Sequence, residues 1–376
     1  MSIHVHWYLP THGDSRDIVG STSNAPRSRS SVAESYRGPS IDYLGQIARS
    51  AEQLGYEAVL TPTGTFCEDA WIVTAGLSQV TTRLKFLVAF RPGFISPTLA
   101  AHQAATFQRM SGGRLLLNIV TGGDAAEQRK FGDHLSHDER YQRTEEFLTA
   151  LRGVAGASPE APFNFAGQYY DIQGAAIDFA PWRLPDLFFG GASPAAEQVA
   201  ARTVDVYLAW GETPAQIKQR LTRMRELADA AGRELRFGIR LHVISRDTSA
   251  QAWAEANRLL ARISPERIAQ AQQMLAASES IGQQRMSALH SRGSTDQLEI
   301  SPNLWAGYGL VRGGAGTALV GSHDEVADRL EEYHDLGIDH FIMSGQPHLE
   351  EAYYFAEGAT AVLRSRGLLK DLVPAS

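Results

Sequence analysis

Eight short runs rich in Val, Ile, Leu and Phe are strung along the chain, and amphipathic stretches separate most of them. They fall at 5–9, 58–61, 84–90, 115–120, 186–189, 204–210, 236–244 and 340–343. Near-continuous apolar composition over so few residues is what strands covered on both faces require. The stretches at 41–54, 98–110, 139–151, 195–201, 214–231 and 325–336 carry apolar residues at helical spacing. This alternation predicts an α/β chain folded as one (β/α)8 barrel over residues 1–376, with insertions. A doubly wound sheet is the alternative, but no G-x-G-x-x-G follows the first strand.

Three segments exceed what a minimal barrel needs. Residues 16–40 are polar and rich in Ser, Arg, Pro and Gly; 153–181 reads as an extra hairpin; 264–321 separates the seventh unit from the last helix–strand pair. The first and third leave C-terminal ends of strands, where barrels place their active sites, so both are expected as lid or insertion segments. Composition narrows the function. Lys and Arg total 35 against 42 Asp and Glu, a formal charge of −7 with no basic block, which argues against nucleic-acid binding. No apolar run approaches the ~20 residues that span a bilayer. The first residues lack a signal-peptide pattern, and the single cysteine fits a reducing compartment, so a cytoplasmic enzyme is expected.

Strand alternation puts Arg240 and His242 on one face of the run 236–244, with Ile239, Leu241 and Val243 on the other. The apolar set belongs under the helices, so the cation and the imidazole point into the barrel, as an anion-binding or catalytic pair or as a structural ion pair. Arg312 sits beside the glycine-rich run 309–316, suited to an oxyanion or to anchoring a loop. Gly191 and Ser193 lie where the fifth strand enters a helix, a plausible phosphate seat. Asn118 and Thr121 end the fourth strand, where they could meet a heterocycle's amide edge or cap a turn. Cys67 follows the second strand on the active face. Ser322 through Glu325 reads as a capping box. His4 and His6 suggest the paired ligands of metal-dependent hydrolase barrels, but strands five and six end without a further ligand, so no metal is expected.

Several longer runs carry a resemblance. LPTHGD at 9–14, PTGTFCEDAW at 62–71, NIVTG at 118–122 and FGIRLHVI at 237–244 belong to it. So do EISPNLWAG at 299–307, LVRGGAGTALVG at 310–321 and PHLEEAY at 347–353. Together they resemble the two-component alkanesulfonate monooxygenases within the bacterial-luciferase-like flavin barrels. The resemblance implies reduced FMN supplied by a separate NAD(P)H-dependent reductase, O2 as co-substrate, and cleavage of a C–S bond to aldehyde and sulfite. It also implies a homodimer or homotetramer. His12, Cys67, Asn118, Tyr141, Gly191 and Ser193 match flavin-contacting positions, Tyr141 and Ser193 toward the phosphate. Arg240, His242 and Arg312 match the catalytic cationic group, and Trp210 the pocket wall. Among the three, His242 is the easier base, because Arg rarely loses its proton.

The chain departs from the family pattern at its active face. Gln346 stands where the family has Tyr, and Thr65-Phe66 where it has Arg-Ser; the loop 16–40 is longer than usual. An amide offers two donors and an acceptor but cannot act as an acid. The expected substrate is therefore a polar or sugar sulfonate such as sulfoquinovose, with Trp210, Arg240, Arg312 and Gln346 contacting it. A simple alkanesulfonate is the alternative substrate. A deazaflavin- or flavin-dependent oxidoreductase acting on a non-sulfonated substrate, a metal-dependent hydrolase and a non-catalytic flavin binder are the alternative classes.

Overall fold

In the computed structural model, which describes residues 2–18, 36–179 and 182–370, the eight apolar runs form one closed parallel barrel. Strands β1 (His4–Tyr8), β2 (Ala58–Thr61), β3 (Lys85–Phe90) and β4 (Leu115–Ile119) come first, and an antiparallel hairpin of β5 (Phe163–Ala166) and β6 (Asp171–Ala175) follows. Strands β7 (Leu187–Gly190), β8 (Val206–Trp210) and β9 (Arg236–Arg246) continue the barrel. Within the insertion lie β10 (Glu299–Ser301), β11 (Leu304–Trp305) and β12 (Ala318–Ser322); β13 (His340–Ser344) closes the barrel between β9 and β1. Of the expected loop segment 16–40, residues 19–35 lie outside the described residues.

The outer layer contains α1 (Ile41–Leu54), α2 (Ala70–Leu77), α3 (Pro97–Ser111), α4 (Ala125–Lys130), α5 (His137–Ala155), α6 (Pro194–Thr203), α7 (Pro214–Ala230) and α8 (Ser249–Ala261). The insertion adds α9 (Pro265–Ala276) and α10 (Ile281–Ala288), and α11 (His323–Asp335), α12 (His348–Glu357) and α13 (Ala359–Ser365) complete the chain's helices. Helix α11 opens with the expected capping box, Ser322 and Glu325 each bonding the other's backbone N–H.

Strand alternation divides the core as expected. Ile239, Leu241 and Val243 join the large layer between strands and helices, whereas Tyr8, Leu60, Leu116, Phe188, Leu208 and Ile342 fill the barrel interior. Strand β9 is long enough to pair with three strands of the one sheet: its first half with β8 and β13, and His242 through Arg246 with β12. The end of segment 264–321 is thus a strand lying outside the eight. A second apolar core, including Ile244, Ala252, Trp305, Tyr308 and Val320, fixes the insertion to that extended half of β9.

The barrel floor is polar. His6 Nε2 and His340 Nδ1 are 3.0 Å apart, and the rings of His4 and His340 stack at 4.7 Å. His4 Nδ1 lies 2.5 Å from one oxygen of Glu57, whose other oxygen accepts from Lys85 Nζ at 2.8 Å.

Candidate active site

At the C-terminal ends of the strands a cavity of about 420 Å³ opens between the barrel and the insertion. Asn118, Tyr141, Gly191, Ser193, Trp210 and Arg240, six of the expected site residues, line it together. The insertion roofs it: a Cβ on Gly282 of α10 would come within 3.1 Å of the Trp210 indole, so any side chain there would press on the ring. Ser278 Oγ donates to Gly123 O at 3.3 Å, and Gly314 N donates to Gln283 Oε1 at 2.9 Å, tying α10 to both rims.

One end is shaped for an anion. Ser193 caps α6, with Pro194 opening its first turn, so the helix presents N–H groups where its dipole is positive. The Tyr141 side chain hydrogen-bonds Ser193. Gly191 leaves room there, since a Cβ would stand 2.5 Å from that of Ala196 and 3.4 Å from the Tyr141 hydroxyl. Behind this seat, Glu212 accepts from Arg220 of α7 and from Arg285 of α10, two guanidiniums on one carboxylate that is almost fully buried. That triad carries one net positive charge. The cavity size, the apolar walls and this capped helix start suit a planar ring system that carries an anionic group.

At the other end Arg240 lines the cavity, and beside it lies a buried polar cluster of Tyr8, His242, Arg312, Gln346 and His348 that does not itself line the cavity. Arg240 lies over the Tyr8 ring, 4.8 Å from its centroid, and Arg312 over the same ring at 5.9 Å. Arg240 donates to the carbonyls of Leu241 and Ile342 and to Ser344 Oγ at 2.9 Å, and no carboxylate among the described residues neutralises it. Burial and the neighbouring Arg312 push its pKa down to about 9. Arg312 Nη1 and both amide atoms of Gln346 are buried without a hydrogen-bond partner in the protein. Each such group costs about 1–3 kcal/mol if it stays unmet, which is the signature of a polar ligand site.

His242 belongs to the same cluster but is fully engaged. Its Nδ1 is 2.7 Å from Ser344 Oγ, its Nε2 is 3.1 Å from the carbonyl of Ala315, and its ring stacks on Tyr308 at 3.9 Å. The carbonyl can only accept, so Nε2 carries the hydrogen and Nδ1 accepts from the serine. Burial first, then Arg312 and Arg240, hold its pKa well below the ordinary value. His242 is neutral with no nitrogen to spare.

Sequence reasoning passed over a second histidine. His348 Nδ1 is 2.8 Å from Asp14 Oδ1, while Asp14 Oδ2 accepts from the His348 backbone N–H at 2.7 Å and from the Tyr43 hydroxyl at 2.6 Å. Burial alone would raise Asp14, but His348 and Tyr43 outweigh it and hold the carboxyl below its usual range. Burial lowers His348, against the opposing pull of Asp14. Its Nε2 is buried without a partner. The signal available in the sequence was THGD followed much later by PHLEE, two polar runs at the ends of neighbouring strands.

The remaining expected residues lie beside the cavity wall. The His12 ring sits 6.1 Å from both Tyr8 and Phe66, and it is Phe66 that lines the cavity next to the cysteine loop. Cys67 Sγ is 3.7 Å from Pro62 O and 3.6 Å from Gly64 O, and burial pushes its thiol up to about 11, far from a thiolate. Among the described residues no three His, Cys, Asp or Glu side chains form a metal-holding group, and no helix is long and apolar enough to cross a membrane.

The sequence profile of the luciferase-like monooxygenases matches residues 4–340. Among solved structures, a riboflavin lyase with modified FMN and riboflavin superposes with a TM-score of 0.82 at 18% identity, over 100% of this chain and 94% of that one. DmoA from Hyphomicrobium sulfonivorans gives 0.78 at 21% identity, over 100% and 91% of the two chains. The long-chain alkane monooxygenase LadA gives 0.74 at 19% identity, over 98% and 93%. At these identities the structural likeness speaks for the barrel fold alone.

Proposed function

Because the chain belongs to the luciferase-like monooxygenase family, we propose that it is a two-component, FMN-dependent monooxygenase acting on a polar organosulfonate. The family works with a reduced flavin or with the deazaflavin F420. Our reading is FMN, held by Asn118, Tyr141, Gly191 and Ser193 and delivered already reduced by an NAD(P)H-dependent reductase, with the working enzyme a homodimer or homotetramer. The observation that carries the substrate class is the buried pair Arg240 and Arg312, flanking Tyr8 with no carboxylate to neutralise Arg240. Two buried cations side by side are costly unless an anion joins them, and a sulfonate presents three oxygens to two planar forks.

When bound, reduced FMN with O2 supplies the oxidant, so that one sulfonate and one O2 give aldehyde, sulfite, oxidised FMN and water. The chain's own residues bind, orient and exclude water. Arg240 and Arg312 hold the sulfonate, and Trp210 and Gly282 close the wall beside it. Gln346, with two donors and an acceptor unmet, suits a substrate hydroxyl, which favours a sugar sulfonate such as sulfoquinovose over an unsubstituted alkyl chain. The closed insertion keeps water from the reacting atoms.

The test is a panel of sulfonates incubated with the protein, FMN, a flavin reductase, NADH and air, with sulfite and aldehyde both measured. Hydroxylated sulfonates are expected to release the two in equal amounts. Faster release from every short unbranched alkanesulfonate than from any hydroxylated one would overturn the substrate class. Absence of sulfite from the whole panel would overturn the desulfonation reading.

A further inference from the structure

We propose that His348, held by Asp14, and not His242, is the group that takes a proton at the arginine-lined end of the site. This rests on the reading of that cavity as the oxygenation site. The two histidines differ in what their nitrogens are doing. His242 spends both, Nδ1 on Ser344 and Nε2 on the Ala315 carbonyl, and Tyr308 covers its face. Accepting a proton would require breaking the serine bond beside two arginines. His348 spends only Nδ1, on Asp14. A carboxylate at Nδ1 fixes the hydrogen there and leaves Nε2 as a lone pair, and that atom is buried with no partner.

The position suits the role. The His348 ring is 5.5 Å from the Tyr8 ring, the same ring that Arg240 and Arg312 overlie. The His348 ring therefore lies in the same cluster as the groups that would hold the anion. Asp14 is itself braced by Tyr43, and Arg37 joins Tyr43 to Glu350 on the same helix as His348, so the dyad is fixed from β1's end, from α1 and from α12. The charged and titratable groups that bear on His348 are Asp14, Arg240 and Arg312, with the Tyr8 phenol and the His242 imidazole packed in the same cluster. Burial first, then the two arginines, keep it neutral at rest, and Asp14 stabilises the imidazolium once it forms.

The proton step closes without a further reactant. Once the carbon bearing sulfur also bears a hydroxyl, that O–H gives its proton to Nε2. Its bonding pair becomes the second C–O bond, and the C–S pair leaves with sulfite. The imidazolium is held against Asp14 until the proton passes to water as the insertion opens.

Three variants and one spectrum test this in the full-length protein. His348→Gln is expected to lower kcat by about 10²- to 10⁴-fold and to abolish the acid limb of its pH profile, with the Kd for reduced FMN within about twofold of the parent. His242→Gln is expected to retain that limb. Asp14→Asn is expected to move the limb to lower pH, because the imidazolium loses its carboxylate. Persistence of the limb in His348→Gln, or its loss in His242→Gln, would overturn the proposal. Nitrogen-15 histidine spectra near neutral pH, read without any substrate, are expected to show Nε2 of His348 unprotonated and Nε2 of His242 protonated. A protonated Nε2 on His348 overturns the proposal even if no sulfonate is turned over, an outcome that by itself counts only against the desulfonation reading.

Discussion

Arg285, on helix α10 of the insertion, donates through Nη2 to Glu212 at 2.9 Å, and Glu212 lies just beyond the end of β8. The roof of the cavity is thereby fastened to its wall by a carboxylate that also holds Arg220 at 2.9 Å. The two ends of this link are unequal: the Arg285 side chain is 42% exposed and the Glu212 side chain 3%. Arg285→Met is expected to cost at most about 1 kcal/mol of global stability. Hydrogen exchange across α10 should nevertheless quicken, because the latch is gone. Glu212→Gln leaves the buried Arg220 guanidinium without its carboxylate and is expected to cost about 3–5 kcal/mol. Urea titration of both variants checks the asymmetry, and equal losses would contradict it.

Gly191 decides whether the anion seat stays open. Even a methyl group there would meet Ala196 on a helix that cannot retreat, 2.5 Å away. Gly191→Ala is expected to weaken reduced-FMN binding tenfold or more, about 1.4 kcal/mol, with about 1–3 kcal/mol lost from overpacking. Flavin titration under anaerobic conditions reads the first effect and thermal melting the second.

How much of this was legible in the chain depends on the kind of signal. The barrel strands were, because burial on both faces writes itself as an apolar run, and Arg240 with His242 was placed on the interior face by alternation alone. Strand β12 was not: ALVGS reads as the end of a loop until the extended half of β9 offers it a partner. Helices α2, α4, α8, α9, α10, α12 and α13 escaped as well, although α2, α8 and α12 each follow a barrel strand. Tyr8 and Asp14 lie within or just beyond a run already read as a strand and its turn, and Glu212 looked like loop polarity. The importance of Tyr8 and Asp14 comes from residues hundreds of positions away, Arg312 and His348, and that of Glu212 from Arg285 in the insertion, which no local pattern connects.

Cys67 stands near the cavity but is built as a thiol. With its pKa pushed up to about 11, only about one part in a thousand is thiolate near pH 8. Alkylation by iodoacetamide is expected to run roughly two orders of magnitude slower than for free cysteine, whose pKa is about 8.5. Mass spectrometry over a time course measures this directly, and modification at the free-thiol rate would refute it.

Gln346 is the position where substrate preference should turn. Both of its amide atoms are buried without a partner in the protein. A ligand hydroxyl bonded there contributes about 1–3 kcal/mol, and a phenol cannot reproduce the amide's pair of donors. Gln346→Tyr is expected to lower kcat/KM for a hydroxylated sulfonate by tenfold or more relative to its deoxy analogue. The ratio of the two substrates is the measurement, since a general loss of folding would lower both alike.

The histidines of the barrel floor make the fold sensitive to acid. Burial pushes His6 down to about 4 and His340 to about 2, with the neighbouring histidines adding to both shifts. In the unfolded chain each titrates near 6.5. The folded values are the lower ones, so as pH falls below about 6.5 the unfolded state takes up protons that the folded state refuses. Stability present above that pH is therefore lost on acidification, by up to about 1.4 kcal/mol per pH unit for each independent histidine. The loss should continue through His6's folded value of about 4 and further for His340. Replacing His340 with Phe keeps a ring between His4 and Phe188 but removes one of the two titrating groups. Denaturation midpoints measured from neutral pH down to about pH 5 should fall steeply for the parent and less steeply for His340→Phe, the remaining slope coming from His6 and from the other buried histidines held low, His242, His290 and His348. An unchanged slope in the variant would mean that other groups, such as the Asp14–His348 pair, set the acid limit of the fold.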